Sequence, residues 1–303
     1  MRRQVLASAL LVLAAAGCAR TAGATATPQD DPPPLDAALV DGDFGWVLTP
    51  DALRISTDGG RTFHDSRPGI AAGQARAAYF LDARHGWAAS AADGTLTVAR
   101  TDDGGAHWTA ARTPTAAETG TLRLAFGDDR RGTVLGRTTT SAAFSEATAY
   151  STADGGATWT STPAPVAGEL SYGPDGRLWI AGGVTGDELY ASDGHGGWAR
   201  SAVTFTGPVD DAEVSPPRSG VVTARLERGG RTTTATLTSR DGGLSWTETA
   251  TAAAPAPAHR WELVGVGKCA QGKRDCVLTT TLRSTADAGT HWATLRIWRE
   301  RLG

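Results

Sequence analysis

Six aspartates carry the residue types and spacing that most suggest chemistry. They lie in six short segments of one form: Ser56-Thr-Asp58-Gly-Gly-Arg-Thr-Phe63, Thr101-Asp-Asp103-Gly-Gly-Ala-His-Trp108, Thr152-Ala-Asp154-Gly-Gly-Ala-Thr-Trp159, Ala191-Ser-Asp193-Gly-His-Gly-Gly-Trp198, Ser239-Arg-Asp241-Gly-Gly-Leu-Ser-Trp246 and Thr285-Ala-Asp287-Ala-Gly-Thr-His-Trp292. A carboxylate two residues after a hydroxyl could serve acid–base catalysis or bind a metal ion. The same residues also build tight turns: Asp accepts hydrogen bonds from turn amides, Ser or Thr adds its hydroxyl, and Gly supplies backbone freedom. In every copy an aromatic residue follows the Asp by five positions, at Phe63, Trp108, Trp159, Trp198, Trp246 and Trp292. It is expected to fold back under the turn and fill space between sheets. The six aspartates and six aromatics are therefore assigned a structural role, with no catalytic residue and no metal ligand among them. The fourth copy departs from the pattern at Ala191 and His195, the sixth at Ala288, and both are expected to be softer turns.

The elements that must position these turns follow from their spacing. The Asp residues are 45, 51, 39, 48 and 46 apart, the length of a four-stranded blade. Strand-like runs precede each turn. First strands are read at 37–40, 77–81, 122–126, 169–172, 212–214 and 261–266, and second strands begin at Gly45, Gly86, Gly132, Leu178, Gly220 and Cys276. No long helical period interrupts them. The fold class predicted is all-β, a six-bladed β-propeller over residues 35–303, closed by packing of blade 6 on blade 1 with the tail at 294–298 reinforcing the last sheet. A seventh blade would need residues the chain does not have.

These segments resemble the Asp-box, or BNR repeat, found in sialidases, sortilin-type receptors and photosystem II stability/assembly factors. The resemblance runs from about Leu35 to Trp298. It implies turns between third and fourth strands on one peripheral face, with ligands meeting the opposite face. The longest loops expected there are 138–148, 110–120, 182–187, 202–211 and 249–259. First strands would line a central channel, and Arg76, Arg123, Glu169, Glu213 and Glu262, near their starts, are the candidate partner-binding residues of the funnel. A competing reading gives them only the solvated polar role that any small propeller needs there.

Resemblance to sialidases raises an exo-glycosidase as the alternative function. That chemistry needs three Arg to clamp a carboxylate, a Tyr activated by Glu, and an Asp acid/base. The chain has no Arg-Ile-Pro, and its four Tyr stand at 79, 150, 172 and 190, none in blade 6 where the nucleophile would be expected. There is also no Gly-x-Ser-x-Gly, no P-loop and no His-Glu-x-x-His. The reading favoured is a non-catalytic scaffold without a cofactor, monomeric, presenting loops to a protein or cell-envelope glycan. The photosystem II assembly-factor type is the nearest in domain economy.

The N-terminus reads as an address. Arg2 and Arg3 precede an apolar stretch over 5–16, too short to span a bilayer comfortably, which ends Ala15-Ala16-Gly17-Cys18. The junction resembles a bacterial lipobox, with Ala15 where Leu is commonest. It implies removal of 1–17, lipidation of Cys18 and anchoring outside the cytoplasmic membrane. The competing reading is an ordinary signal peptide cut after Ala24 or Ala26. Residues 18–34 are small, polar and Pro-rich, a tether with nothing to bury. Export makes a disulfide between Cys269 and Cys276 plausible, with two free thiols as the alternative. With 29 basic and 32 acidic residues and a net charge of −3, no nucleic-acid partner is implied.

Overall fold

The computed structural model describes residues 5–7, 32–114, 119–138, 147–218, 220–250, 258–269 and 276–302. All its regular elements are strands, in six sheets met in chain order. The protein is an all-β six-bladed β-propeller. Blade 1 holds β2 (Asp36–Leu39), β3 (Gly45–Leu48), β4 (Leu53–Ser56) and β5 (His64–Ser66), with β1 (Val5–Ala7) paired antiparallel to β2. Blade 2 is β6 (Arg76–Phe80), β7 (Gly86–Ala92), β8 (Thr95–Thr101) and β9 (Thr109–Pro114). Blade 3 is β10 (Thr119–Phe126), β11 (Gly132–Thr138), β12 (Ala147–Thr152) and β13 (Thr160–Ala164). Blade 4 is β14 (Gly168–Tyr172), β15 (Leu178–Gly182), β16 (Glu188–Ser192) and β17 (Trp198–Arg200). Blade 5 runs β19 (Asp211–Val214), β20 (Val222–Arg228), β21 (Arg231–Thr238) and β22 (Ser245–Ala250), with the short β18 (Ala202–Thr204) parallel to β22 on its outer edge. Among the described residues blade 6 has three strands, β23 (Arg260–Cys269), β24 (Cys276–Thr285) and β25 (Ala293–Leu302).

The strands group into two compact units. One takes in blade 1, blade 6, and residues up to Ala88 and Ala99–Ala110 of blade 2. The other takes in Ala89–Val98 and Ala111–Pro255. In the first unit, Ala37, Leu39 and Val47 of blade 1 share one buried cluster with Trp261, Leu263, Leu282 and Trp298 of blade 6. Blade 6 thus packs on blade 1, as the blade count requires. Gly45 explains the close fit: a Cβ there would lie 2.6 Å from the Trp261 ring. In the second unit, Trp179 and Leu189 of blade 4 are buried with Val222, Leu226, Leu237 and Trp246 of blade 5. Burial of such apolar faces between sheets is the main favourable term in a fold of this kind.

Blade 6 corrects one sequence expectation. Register pairs the first residue of β23 with the turn hydroxyl, Arg260 with Thr285. In blades 1 and 3 the residue so paired opens the second strand: Gly45 with Ser56 and Gly132 with Thr152. The second turn glycines agree. Gly60 of blade 1 sits against Trp261, and Gly243 of blade 5 sits against Trp179 on the second strand of blade 4. β23 is therefore a second strand and β24 a third, not the first and second read from the sequence. The Cys269–Cys276 end of this hairpin accordingly lies at the opposite end of the sheet from the aspartate turns. The expected tail strand is β25, the fourth strand of the blade.

Candidate functional site

Five of the six aspartate turns share one hydrogen-bond pattern. The hydroxyl two residues before the Asp donates to its Oδ1, at 2.8 Å in all five, and accepts the amide of the second turn residue after the Asp, as Gly60 N to Ser56 Oγ at 2.8 Å and Gly156 N to Thr152 Oγ1 at 2.9 Å. The same Oδ1 accepts the amide of the residue four further on, at 2.9 Å for Thr62, His107, Thr158, Ser245 and His291. The side chain of that residue then reaches Oδ2, for example Thr62 Oγ1 at 2.7 Å and His107 Nδ1 at 2.6 Å. This fourth position was not singled out in the sequence reading; its signal was a hydroxyl or His after every regular Asp. The bonds favour the ionised carboxylates. The Thr62 amide and hydroxyl hold Asp58 down to about 2, and the Ser245 hydroxyl and amide hold Asp241 at about 2. Asp103, Asp154 and Asp287 also lie well below the usual range, for the same reason.

The fourth turn is built differently. With Ala191 in the hydroxyl place, Ser192 accepts Gly194 N at 3.0 Å, and Asp193 accepts the amides of His195 and Gly197. The sixth turn keeps the common pattern, but Ala288 takes the left-handed φ of +59° that the first glycine takes elsewhere, +73° at Gly59.

The turn aromatics meet strand aromatics edge-on or tilted: Trp108 with Phe80, Trp159 with Phe126, Trp246 with Trp179 and Phe63 with Trp261, with centroids 5.7–6.3 Å apart. Trp108 and Trp159 donate Nε1–H to the carbonyls of Gly105 and Gly156 in their own turns. Trp198 donates instead to Pro163 O in blade 3. Trp292 lies under two guanidinium groups, those of Arg283 at 4.2 Å and Arg260 at 5.1 Å. A serine ending one blade's outer edge ties into the next blade's turn: Ser66 Oγ donates to Gly105 O and Ser201 Oγ to Gly243 O, both at 2.6 Å.

The five charged residues proposed for the funnel are held in separate local arrangements. Arg76, first residue of β6, is buried, donates Nη1–H to Thr49 O at 2.6 Å, and has its buried Nε without a hydrogen-bond partner among the described residues. Desolvation lowers its pKa, opposed by the charge of Asp51. Glu262 pairs with Arg283 at 2.7 Å and, on a second strand, does not lie at the start of a first strand as expected. Arg76 and Glu262 belong to the first unit, and Arg123, Glu169 and Glu213 to the second. Arg123 is exposed and bonds its neighbour's carbonyl, Leu122 O, at 3.2 Å; Glu213 faces Arg225 at 3.8 Å; Glu169 is half-buried on β14.

Of the long loops, 139–146, 115–118 and 251–257 lie outside the described residues. The 202–211 loop is anchored from within: Glu248 accepts the Thr206 amide and pairs with Arg228 at 2.6 Å. On the turn side, a cleft of about 440 Å³ is lined by Asp41, Asp43, Phe44, His64 and Asp103 among others. Asp41 already accepts the amides of Asp43 and Phe44, and Asp103 is engaged by His107. Among the described residues no group of three His, Cys, Asp or Glu could hold a metal ion.

No family model and no curated protein matches the chain. Among solved structures it is similar in fold to YCF48 bound to D1 peptide, at 16% identity over 84% of this chain and 79% of that one, TM-score 0.46. It is likewise similar to an ancestral GH74 enzyme, at 12% identity and TM-score 0.49 over 93% of this chain, which spans 40% of that enzyme's length. A third likeness is the Malassezia sympodialis allergen Mala s 1, at 10% identity over 88% of this chain and 92% of that one, TM-score 0.46.

Proposed function

We propose that this chain is an exported lipoprotein whose propeller is a non-catalytic, monomeric scaffold for a protein or cell-envelope partner. Residues 1–17 are removed, Cys18 carries the lipid, 18–34 form the tether, and 35–303 form the propeller. The six aspartate turns are Asp-boxes, and a disulfide joins Cys269 to Cys276. One observation carries the non-catalytic reading: the repeated carboxylates are committed to their own turns, each accepting at least two hydrogen bonds from within its segment. A carboxylate held ionised in this way is a poor proton donor at neutral pH. The Arg-Arg, apolar and Ala-Ala-Gly-Cys run supports the address. The register partnership of Cys269 with Cys276 supports the disulfide.

Membrane fractionation and N-terminal mass analysis test the address. Wild type is expected in membranes with an acylated Cys18, and Cys18→Ala unprocessed or released. A cleaved Cys18→Ala protein that stays in membranes contradicts the proposal. Incubation of purified protein with a fluorogenic sialoside should give no turnover above buffer; saturable hydrolysis would overturn the scaffold reading. Unreduced peptide mapping should show the cystine, which contributes about 2–3 kcal/mol for so short a loop; two alkylatable thiols would refute it.

A further inference from the structure

Among the described residues blade 6 has three strands, and a first strand, the innermost of a blade, is not one of them. Blades 1 to 5 each have four strands of their own, while β23 pairs only with β24 among the described residues. Because β23 is a second strand by register, the place beside it nearest the propeller axis belongs to a first strand. Between β22 and β23 stand only nine residues, Pro255 and Pro257 among them. Thirteen residues lie between β13 and β15, and they hold a first strand and its hairpin. Proline also lacks the N–H a ladder needs. An edge strand presents backbone groups that pair with an added strand.

The surroundings of that place are apolar. Ala37 and Leu39 of β2 and Trp261 and Leu263 of β23 are buried in one cluster. An extended apolar segment already occupies this side: Val5-Leu6-Ala7, as β1, pairs with β2 and lies against β23. We propose that the first-strand place of blade 6 is a strand-addition seat that takes an extended apolar segment of a protein partner once residues 1–17 have left. The inference rests on the reading that residues 1–17 are removed. Main-chain pairing supplies affinity in such a site, and alternate side chains supply selectivity. The other blades show what fits. Their first strands bury Ala77, Ala78 and Phe80, or Leu122, Leu124 and Phe126, or Ala212 and Val214. The occupant is thus a run of four to six extended residues rich in Ala, Leu, Val or Phe, with no proline.

The test uses a fluorescein-labelled peptide, Thr-Leu-Arg-Leu-Ala-Phe, which repeats residues 121–126. Its anisotropy is titrated with the exported protein purified from membranes and with the full precursor. N-terminal mass is read first. The exported protein is expected to bind at least tenfold more tightly than the precursor, and N-methylation of alternate peptide amides to weaken binding at least tenfold. Hydrogen exchange should slow within 260–268. A mass that retains residues 1–17 refutes the processing reading by itself. The seat is then tested in the precursor with Leu6→Pro, which unseats β1 and should raise affinity at least tenfold. No binding by the exported protein, or equal binding of the N-methylated peptide, overturns the seat. So does slowed exchange in 260–268 that appears with dimerisation and without peptide, since a second copy would then be the occupant.

Discussion

Nine of the ten tryptophans in this chain occupy two kinds of place, and the tenth, Trp298, is buried on the fourth strand of blade 6. Trp46, Trp87 and Trp179 sit on second strands, as does Trp261, and all are buried between sheets. Trp108, Trp159, Trp198 and Trp292 follow the aspartate turns and are only half-buried, although Trp246 is buried like the strand set. Trp108 and Trp159 form a second layer, packed edge-on against Phe80 and Phe126 and donating the indole N–H to a carbonyl of their own turns, whereas Trp198 donates to Pro163 O. The four second-strand tryptophans are thus enclosed, whereas Trp108 and Trp159 are half-covered and hydrogen-bonded at the indole N–H. This difference separates what holds the propeller together from what shapes its rim.

Substitutions can break the comparison. Trp87→Ala is expected to cost about 3–5 kcal/mol, the usual loss for emptying a buried aromatic site, a large part of a domain's stability. Denaturant unfolding measures it, and a loss under about 1 kcal/mol would remove the strand tryptophans from the core. Trp159→Ala should cost about 2 kcal/mol, since it gives up roughly half the burial together with one hydrogen bond. If it destabilises as much as Trp87→Ala, the two layers are not distinct. Ala288→Gly should stabilise by about 0.5–1 kcal/mol, because a left-handed φ strains a residue with a Cβ; a lower unfolding midpoint would contradict that. Asp154→Ala should be milder than Trp159→Ala and should leave partner binding intact, which the same unfolding assay and a pull-down from membranes would show together.

Much of this was legible in the residues. The recurring Asp with its aromatic five positions on announced six sheets, and six sheets are present. The hydroxyl at Ser56, Thr101, Thr152, Ser239 and Thr285 was read correctly as part of the turn. Blade 6 was misread because 261–266 and 277–282 are equally strand-like, and hydrophobicity alone does not number strands. The information was nonetheless there: β24 runs directly into Thr285 of its turn, which only a third strand does. The burial of Arg76 was not legible, since an arginine opening a strand looks solvated until the Thr49 carbonyl that receives it is placed by the fold. Glu213 and Glu262 were read as candidate partner-binding residues; the Arg225 and Arg283 that cross-strand register sets opposite them were not foreseen.

The central claim is that the repeated carboxylates act as turn structure. Asp58 tests it most directly, by urea unfolding of wild type and Asp58→Ala from pH 7 down to pH 2. Its folded pKa is depressed below the ordinary 3.8 to about 2, so its stabilising effect is complete above about pH 4 and is lost as pH falls through the folded value. Wild type should therefore be the more stable protein at pH 7, with the gap closing between about pH 4 and pH 2. A variant that unfolds like wild type at pH 7, or a gap that widens in acid, would contradict the account.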